Sequence, residues 1–220
     1  SGPEDAVIPI SLKGRDADGD ALVYSIGTLP AKGILAGTPP DLIYIPNPNA
    51  TGLDRFTYRV SDGKLSSEAE VVSVMVIPVN DSPMAESQFL SLAEDASADS
   101  LLGARDADND ALTFILVSAP VRGSLSGTAP RLTYRPEANF HGIDSFTFKV
   151  SDGTAESAPA VITFSVRSIN DPPVAQDQFA TVNEDAAQAI VLTGRDVDGG
   201  SLFYQVVDLP KKGSLSGAPP

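Results

Sequence analysis

The residues best suited to chemistry in this chain are carboxylates placed in turns. Asp16, Asp18 and Asp20 occupy alternate positions in one short segment, Asp106, Asp108 and Asp110 in a second, and Asp196 and Asp198 in a third, where Gly200 takes the last place. Alternate carboxylates in a turn converge on one point and repel unless a cation lies between them. The chain has no cysteine and one histidine, so the donors on offer are almost all oxygens. Oxygen donors in numbers suit Ca2+, which takes 6–8 of them. The competing account of any single Asp is local, because Asp and Asn side chains cap nearby amides in turns. What exceeds that account is the density of acid in these segments.

Other chemistries fit poorly. Counted from Asp16, an EF-hand would need glycine sixth and glutamate twelfth, but Ala21 and Gly27 stand there. His141, the single histidine, has Thr51 as its counterpart one repeat earlier, and its reading is a surface-loop residue. There is no Gly-x-Ser-x-Gly elbow. A pair of carboxylates for glycoside hydrolysis would have to recur in every repeat, and the chain holds no tryptophan to line a cleft. The expectation is therefore a protein without enzymatic activity. With 29 acidic against 15 basic residues and a net charge of −14, nucleic acid is excluded as a partner by repulsion of its phosphates. No apolar run approaches the ~20 residues of a membrane-spanning helix, so no membrane insertion is expected. The start, Ser1-Gly2-Pro3-Glu4-Asp5, carries no leader pattern, and the expectation is a piece of something longer.

The elements that must position these acids repeat at a constant offset of 90. Glu4-Asp5-Ala6 returns as Glu94-Asp95-Ala96 and Glu184-Asp185-Ala186. Gly33, Leu35 and Gly37 return as Gly123, Leu125 and Gly127, and Ser61-Asp62-Gly63 as Ser151-Asp152-Gly153. Within each repeat the pattern is that of strands. Phe56, Tyr58 and Val60 alternate with Thr57 and Arg59, and Val72, Val74 and Val76 with Ser73 and Met75. A period of two means one buried and one wet face. Short strands separated by Gly, Pro and Asp turns predict an all-β fold of tandem Greek-key β-sandwich modules. The predicted boundaries are residues 1–81 for a first repeat short of its first strand, 82–171 for a complete second repeat, and 172–220 for a partial third ending where Pro220 matches Pro40. The linkers Asn80-Asp81-Ser82-Pro83 and Asn170-Asp171-Pro172-Pro173 are short and stiffened by proline.

Turns alternate between the two ends of a sandwich, so acids distant in sequence are expected to meet at a junction. The first would gather Glu4, Asp5, Asp54, Asn80, Asp81, Asp106, Asp108 and Asp110; the second Glu94, Asp95, Asp144, Asn170, Asp171, Asp196 and Asp198. Each set offers oxygens for roughly two or three calcium ions. Asp62 and Asp152 are placed near the turn acids of their own repeats.

Glu-Asp after the first strand, Asp-Ala-Asp in the next loop, Leu53-Asp54-Arg55 before the Phe-Thr-Tyr strand, and Asn-Asp-x-Pro at the linker resemble cadherin repeats. The whole unit, above all Gly52–Gly63 and Gly142–Gly153, is similar to the bacterial cadherin-like or immunoglobulin-like tandem repeats of large surface adhesins. The resemblance implies calcium at the junctions, rigid arrays, an extracellular or cell-surface location, and a role in adhesion or biofilm attachment. The implied partners are neighbouring repeats of the same chain, with a polysaccharide or cell-surface ligand beyond them. A calcium-dependent carbohydrate-binding module is the alternative, and Phe140 is its best exposed aromatic.

Overall fold

The computed structural model describes Ser1 to Ala218; Pro219 and Pro220, at the end of the partial third repeat, lie outside the described residues. All regular structure among the described residues is strand or turn, and no helix is long and apolar enough to cross a membrane. The first repeat contributes β1 (Gly2–Pro3), β2 (Ile8–Ser11), β3 (Val23–Ile26), β4 (Gly33–Thr38), β5 (Asp41–Pro46), β6 (Gly52–Ser61) and β7 (Glu70–Ile77). Then follow β8 (Met84–Glu86), β9 (Gln88–Ala93), β10 (Ala98–Leu101), β11 (Gly103–Arg105), β12 (Thr113–Ser118), β13 (Gly123–Thr128), β14 (Arg131–Pro136), β15 (Gly142–Ser151) and β16 (Ala160–Arg167). The third repeat has β17 (Val174–Ala175) and β18 (Gly194–Arg195).

The described residues group into two compact units, the first made of Ser1–Glu86, Gly103–Ile115 and Phe148–Ala160, the second of Ser87–Leu102, Leu116–Thr147 and Val161 onward. In the first, one sheet runs β2-β5-β4 and another β1-β7-β6-β3. The chain thus changes sheet between β1 and β2, β2 and β3, β3 and β4, and β5 and β6, which is how a Greek-key sandwich is wound. Alternation decides the faces: Phe56, Val74 and Val76 point inward to meet Ile8, Leu12, Leu42 and Tyr44, while Arg55, Arg59, Ser73 and Met75 stay exposed. Gly33 is fixed by this core, because a Cβ there would come within 2.5 Å of the Tyr44 ring and 2.6 Å of the Ile45 carbonyl.

The second repeat duplicates the pattern in sequence order. Its sheets run β10-β14-β13 and β12-β15-β16-β9, with β9 parallel to β16. Tyr134 stacks on Phe164 at a centroid distance of 3.9 Å, and Phe146 lies 6.0 Å from the same ring. The two strands of the third repeat pair Val174 with Arg195 and Ala175 with Gly194. That is the register of Met84 with Arg105 and Ala85 with Ala104, ninety residues earlier.

Candidate metal centres

Each compact unit carries one acidic centre, and the two share a chemistry. In the first, the loop after β1 supplies Glu4, which is 4% exposed. Its amide donates to the Ile77 carbonyl at 3.1 Å and its Oε1 accepts the Val79 amide at 2.9 Å. A buried carboxylate is thereby pinned to the start of the linker. The Asp106 turn is wound on its own side chain: Oδ1 accepts the amides of Asp108 at 3.0 Å and Asp110 at 3.1 Å. This Asx turn holds three carboxylates side by side, with one oxygen of each of Asp106, Asp108 and Asp110 within 4.8 Å of the others. The linker closes on it through the Asp81 amide, which donates to Asp108 Oδ2 at 2.8 Å.

The outcome is like charge brought together. Burial pushes the Asp81 carboxyl above the usual range, and Asp5, Asp108, Glu4 and Asp106 push it further. Asp106 Oδ2 is fully buried and receives no hydrogen bond. An orphaned carboxylate oxygen among four other acids is an unfavourable arrangement for a protein alone, and the neighbouring Asp106, Asp108 and Asp110 oxygens are close enough together to hold a metal ion.

The second centre is built the same way. Glu94, also 4% exposed, accepts the Ile169 amide on Oε1 at 2.6 Å. Asp196 Oδ1 caps Asp198, and the Asp171 amide donates to Asp198 Oδ2. Burial raises the Asp171 carboxyl, with Asp198, Asp95, Glu94 and Asp196 adding to it, and Asp171 Oδ2 is the buried oxygen without a donor. Here oxygens of Glu94, Asp171 and Asp198 lie within 4.8 Å of one another.

Asp54 and Asp144 do not belong to these centres as free ligands, which corrects the expectation from sequence. Asp54 Oδ1 accepts the amides of Ala31 and Arg55, and Oδ2 the amide of Lys32 and the Tyr44 hydroxyl, at 2.7–3.0 Å. Asp144 does the same with Val121, Arg122, Ser145 and Tyr134. Two donors per oxygen fill a carboxylate's acceptor capacity. Burial alone would raise both groups, but these donors outweigh it and hold them below the usual range. The same pairing, after burial, pushes the Tyr44 and Tyr134 hydroxyls up.

The linker asparagines fold back on their own chain. Asn80 Nδ2 and Asn170 Nδ2 donate to the carbonyls of Asp81 and Asp171, each at 3.0 Å. Asn80 Nδ2 also reaches Asp152 Oδ2 at 2.9 Å, so Asp152 meets the linker. Asp62 and Asp152 each cap two amides of their own turns. In the first acidic turn, Lys64 Nζ lies 3.1 Å from Asp20 Oδ2, an ammonium beside the carboxylates.

Three contributors escaped the reading of the sequence. Asn49 Nδ2 donates to Asp81 Oδ2 at 3.0 Å, and the Asn139 amide approaches Asp95 Oδ1 at 3.4 Å. Both asparagines hold a left-handed backbone, with φ of 60° and 58°, and their recurrence at the offset of 90 was the available signal. The third is His141, whose Nδ1 lies 4.0 Å from Glu94 Oε2. In the first unit a polar cleft of about 530 Å³ opens beside the centre, lined by Asn49, Thr51, Asn80, Asp108, Asn109 and Asp110.

The bacterial Ig domain model matches residues 1–75 and again 80–165. The chain belongs to the bacterial Ig domain family. Among curated proteins these Ig domains are similar to integrin beta-like protein E of Dictyostelium discoideum, 26% identical over 93% of the chain and 13% of the relative. Integrin beta-like protein B of the same organism is 23% identical over 81% of the chain and 11% of the relative. The chain thus spans about an eighth of the length of the curated relatives it matches. Among solved structures, human CDH23 EC21-23 superposes with a TM-score of 0.58 at 18% identity, covering 90% of this chain and 77% of that one. That likeness shows the cadherin-type β-sandwich fold.

Proposed function

We propose that these Ig domains form a calcium-stiffened spacer of a large extracellular or cell-surface adhesion protein, with repeats at residues 1–81, 82–171 and 172–220, and that they catalyse no reaction. The observation that carries the reading is the orphaned oxygen in each centre, Asp106 Oδ2 and Asp171 Oδ2, buried amid four further acids. Calcium bound there accepts oxygens from the linker, from the turn after it and from the loop that begins the preceding repeat. Without the ion those carboxylates repel; with it, three separate segments become one coordination shell. Carboxylates and backbone carbonyls, with water to complete 6–8 positions, are the donors this chain provides.

The test is a calcium titration of the whole chain, followed by calorimetry, small-angle scattering and thermal unfolding. Heat of binding, a longer maximum dimension and a higher Tm are the expected results. Absence of all three sinks the proposal.

The polar cleft favours one second reading, a calcium-dependent site for carbohydrate. Three asparagines, a threonine and two aspartates match the hydroxyls of a neutral glycan better than an apolar ligand. Phe140 is no stacking platform for it, since the Arg122 guanidinium already covers the ring at 5.1 Å. Affinity electrophoresis against neutral and anionic polysaccharides, with and without calcium, separates the two readings.

A further inference from the structure

We infer that the second acidic centre, unlike the first, is also a site for a zinc-class divalent ion, with His141 as its deciding ligand. The inference refines the calcium reading above by assigning metal preference at the same carboxylates.

Glu94 is the anchor. Its side chain is 1% exposed, and its Oε1 is committed to the Ile169 amide. Oε2 faces His141 Nδ1 at 4.0 Å, too far for a hydrogen bond. A buried carboxylate oxygen and an imidazole nitrogen therefore face each other across a gap without bonding. Bonds from zinc to histidine nitrogen and to carboxylate oxygen are each about 2.1 Å and tetrahedral, which sets the two ligand atoms about 3.4 Å apart, so the imidazole has about 0.6 Å to close. The imidazole is 64% exposed, so it is free to turn and bring a bent ligand angle within reach. Oxygens of Asp171 and Asp198 lie within 4.8 Å of the Glu94 carboxylate, and Asp171 Oδ2 is buried without a donor. The three carboxylates lie together as they stand, and the imidazole, which meets only Glu94 in this structure, joins them by turning inward; one nitrogen with two or three carboxylate oxygens is then a zinc donor set, whereas calcium takes oxygen alone.

The first centre is the internal control. Thr51 stands where the second repeat has His141, and Asn109 and Asp110 stand where the third has Gly199 and Gly200. The first centre therefore keeps an oxygen-only set with a third turn carboxylate, while the second lacks that carboxylate and gains an imidazole.

The test is titration of the full 220-residue chain with ZnCl2 after calcium has been stripped, repeated on H141T and T51H. Because the chain has a single histidine, its imidazole resonances report coordination directly. In the native chain, zinc should shift them, and H141T should weaken zinc by at least about tenfold, the lower end of what losing even an outer-shell partner costs. T51H should add a zinc at the first centre. Circular dichroism establishes that both variants fold. Zinc binding unchanged in H141T, imidazole resonances unmoved by zinc, or no added zinc in T51H overturns the inference. A parallel CaCl2 titration separates the two claims: loss of calcium binding alone leaves the zinc assignment standing, and calcium retained in H141T leaves the spacer reading standing.

Discussion

The two acidic centres share a frame and differ in their final ligands. Each has a buried Glu holding the amide of the residue just before the linker Asn, an Asx turn wound on its first Asp, and a linker Asp whose amide closes on that turn. The first completes this frame with Asp110 and Thr51, the second with Gly200 and His141. The difference teaches that the frame is set by backbone hydrogen bonds repeated every 90 residues, while charge count and donor type are decided by a few side chains that the frame does not need. Under the proposed metal-binding reading, affinity and metal preference can therefore change between neighbouring repeats without any change of fold.

The comparison breaks most sharply at the Asx turn. D106A with D108A should abolish calcium uptake at the first centre, a loss of about a hundredfold or more since two of its ligands go, and leave the second untouched. Calorimetry resolving two classes of site reads this directly; equal loss at both centres would contradict the idea of independent frames.

Next in size are Asp54 and Asp144. D54A leaves the buried Tyr44 hydroxyl and the amides of Ala31 and Lys32 without their acceptor, a cost of about 3 kcal/mol in unfolding free energy. D144A should cost the same, because the four donors correspond one for one. Calcium affinity of the D54A variant, measured below its lowered Tm, should match wild type. A calcium defect exceeding the stability defect would restore Asp54 to the centre.

A smaller effect sharpens the comparison from the other side. G199N with G200D gives the second turn the residues of the first, adding a carboxylate, and should tighten calcium there by about tenfold. Gly200 holds φ at 119°, so the gain requires the backbone to relax toward the Asp110 conformation; crystallography or calorimetry of the double variant shows whether it does.

The smallest effect is on pH. Asp81 and Asp171 titrate above the usual carboxylate range in the folded chain. Such groups contribute stability that is full below their unfolded value and is lost as pH rises through the folded one. In EDTA, acidification toward the carboxylate range should therefore relieve repulsion at both centres and raise the protection factors of the Asp81 and Asp171 amides, that is, slow their exchange relative to the unstructured rate at the same pH. Asp54 and Asp144 act in the opposite sense: their contribution is present above the unfolded value and is lost as pH falls through their lowered folded values. The relief should be seen first, and D81N with D171N should remove it. Protection factors that stay constant as pH falls into the carboxylate range would argue that the acids do not interact.

Much of this was legible in the residue string. The offset of 90 fixed the repeat, the period of two in Phe56–Val60 and Val72–Val76 assigned the inward faces, and Asp-Ala-Asp with Asn-Asp-x-Pro marked the acidic segments. These are local properties, set by chain geometry and by the alternation of apolar and polar side chains, so order along the chain suffices to read them. Which carboxylates remain free was decided only in three dimensions. Asp54 and Asp106 look alike as acids beside turns, yet one is saturated by four donors, three of them from other segments, and the other keeps a buried oxygen with none. His141 reads as a loop residue until the fold brings Glu94, 47 positions earlier, to 4.0 Å from its ring. Hydrogen-bond saturation and ligand approach depend on which backbone amides and side chains arrive at a point, and that is a property of packing that spacing does not encode.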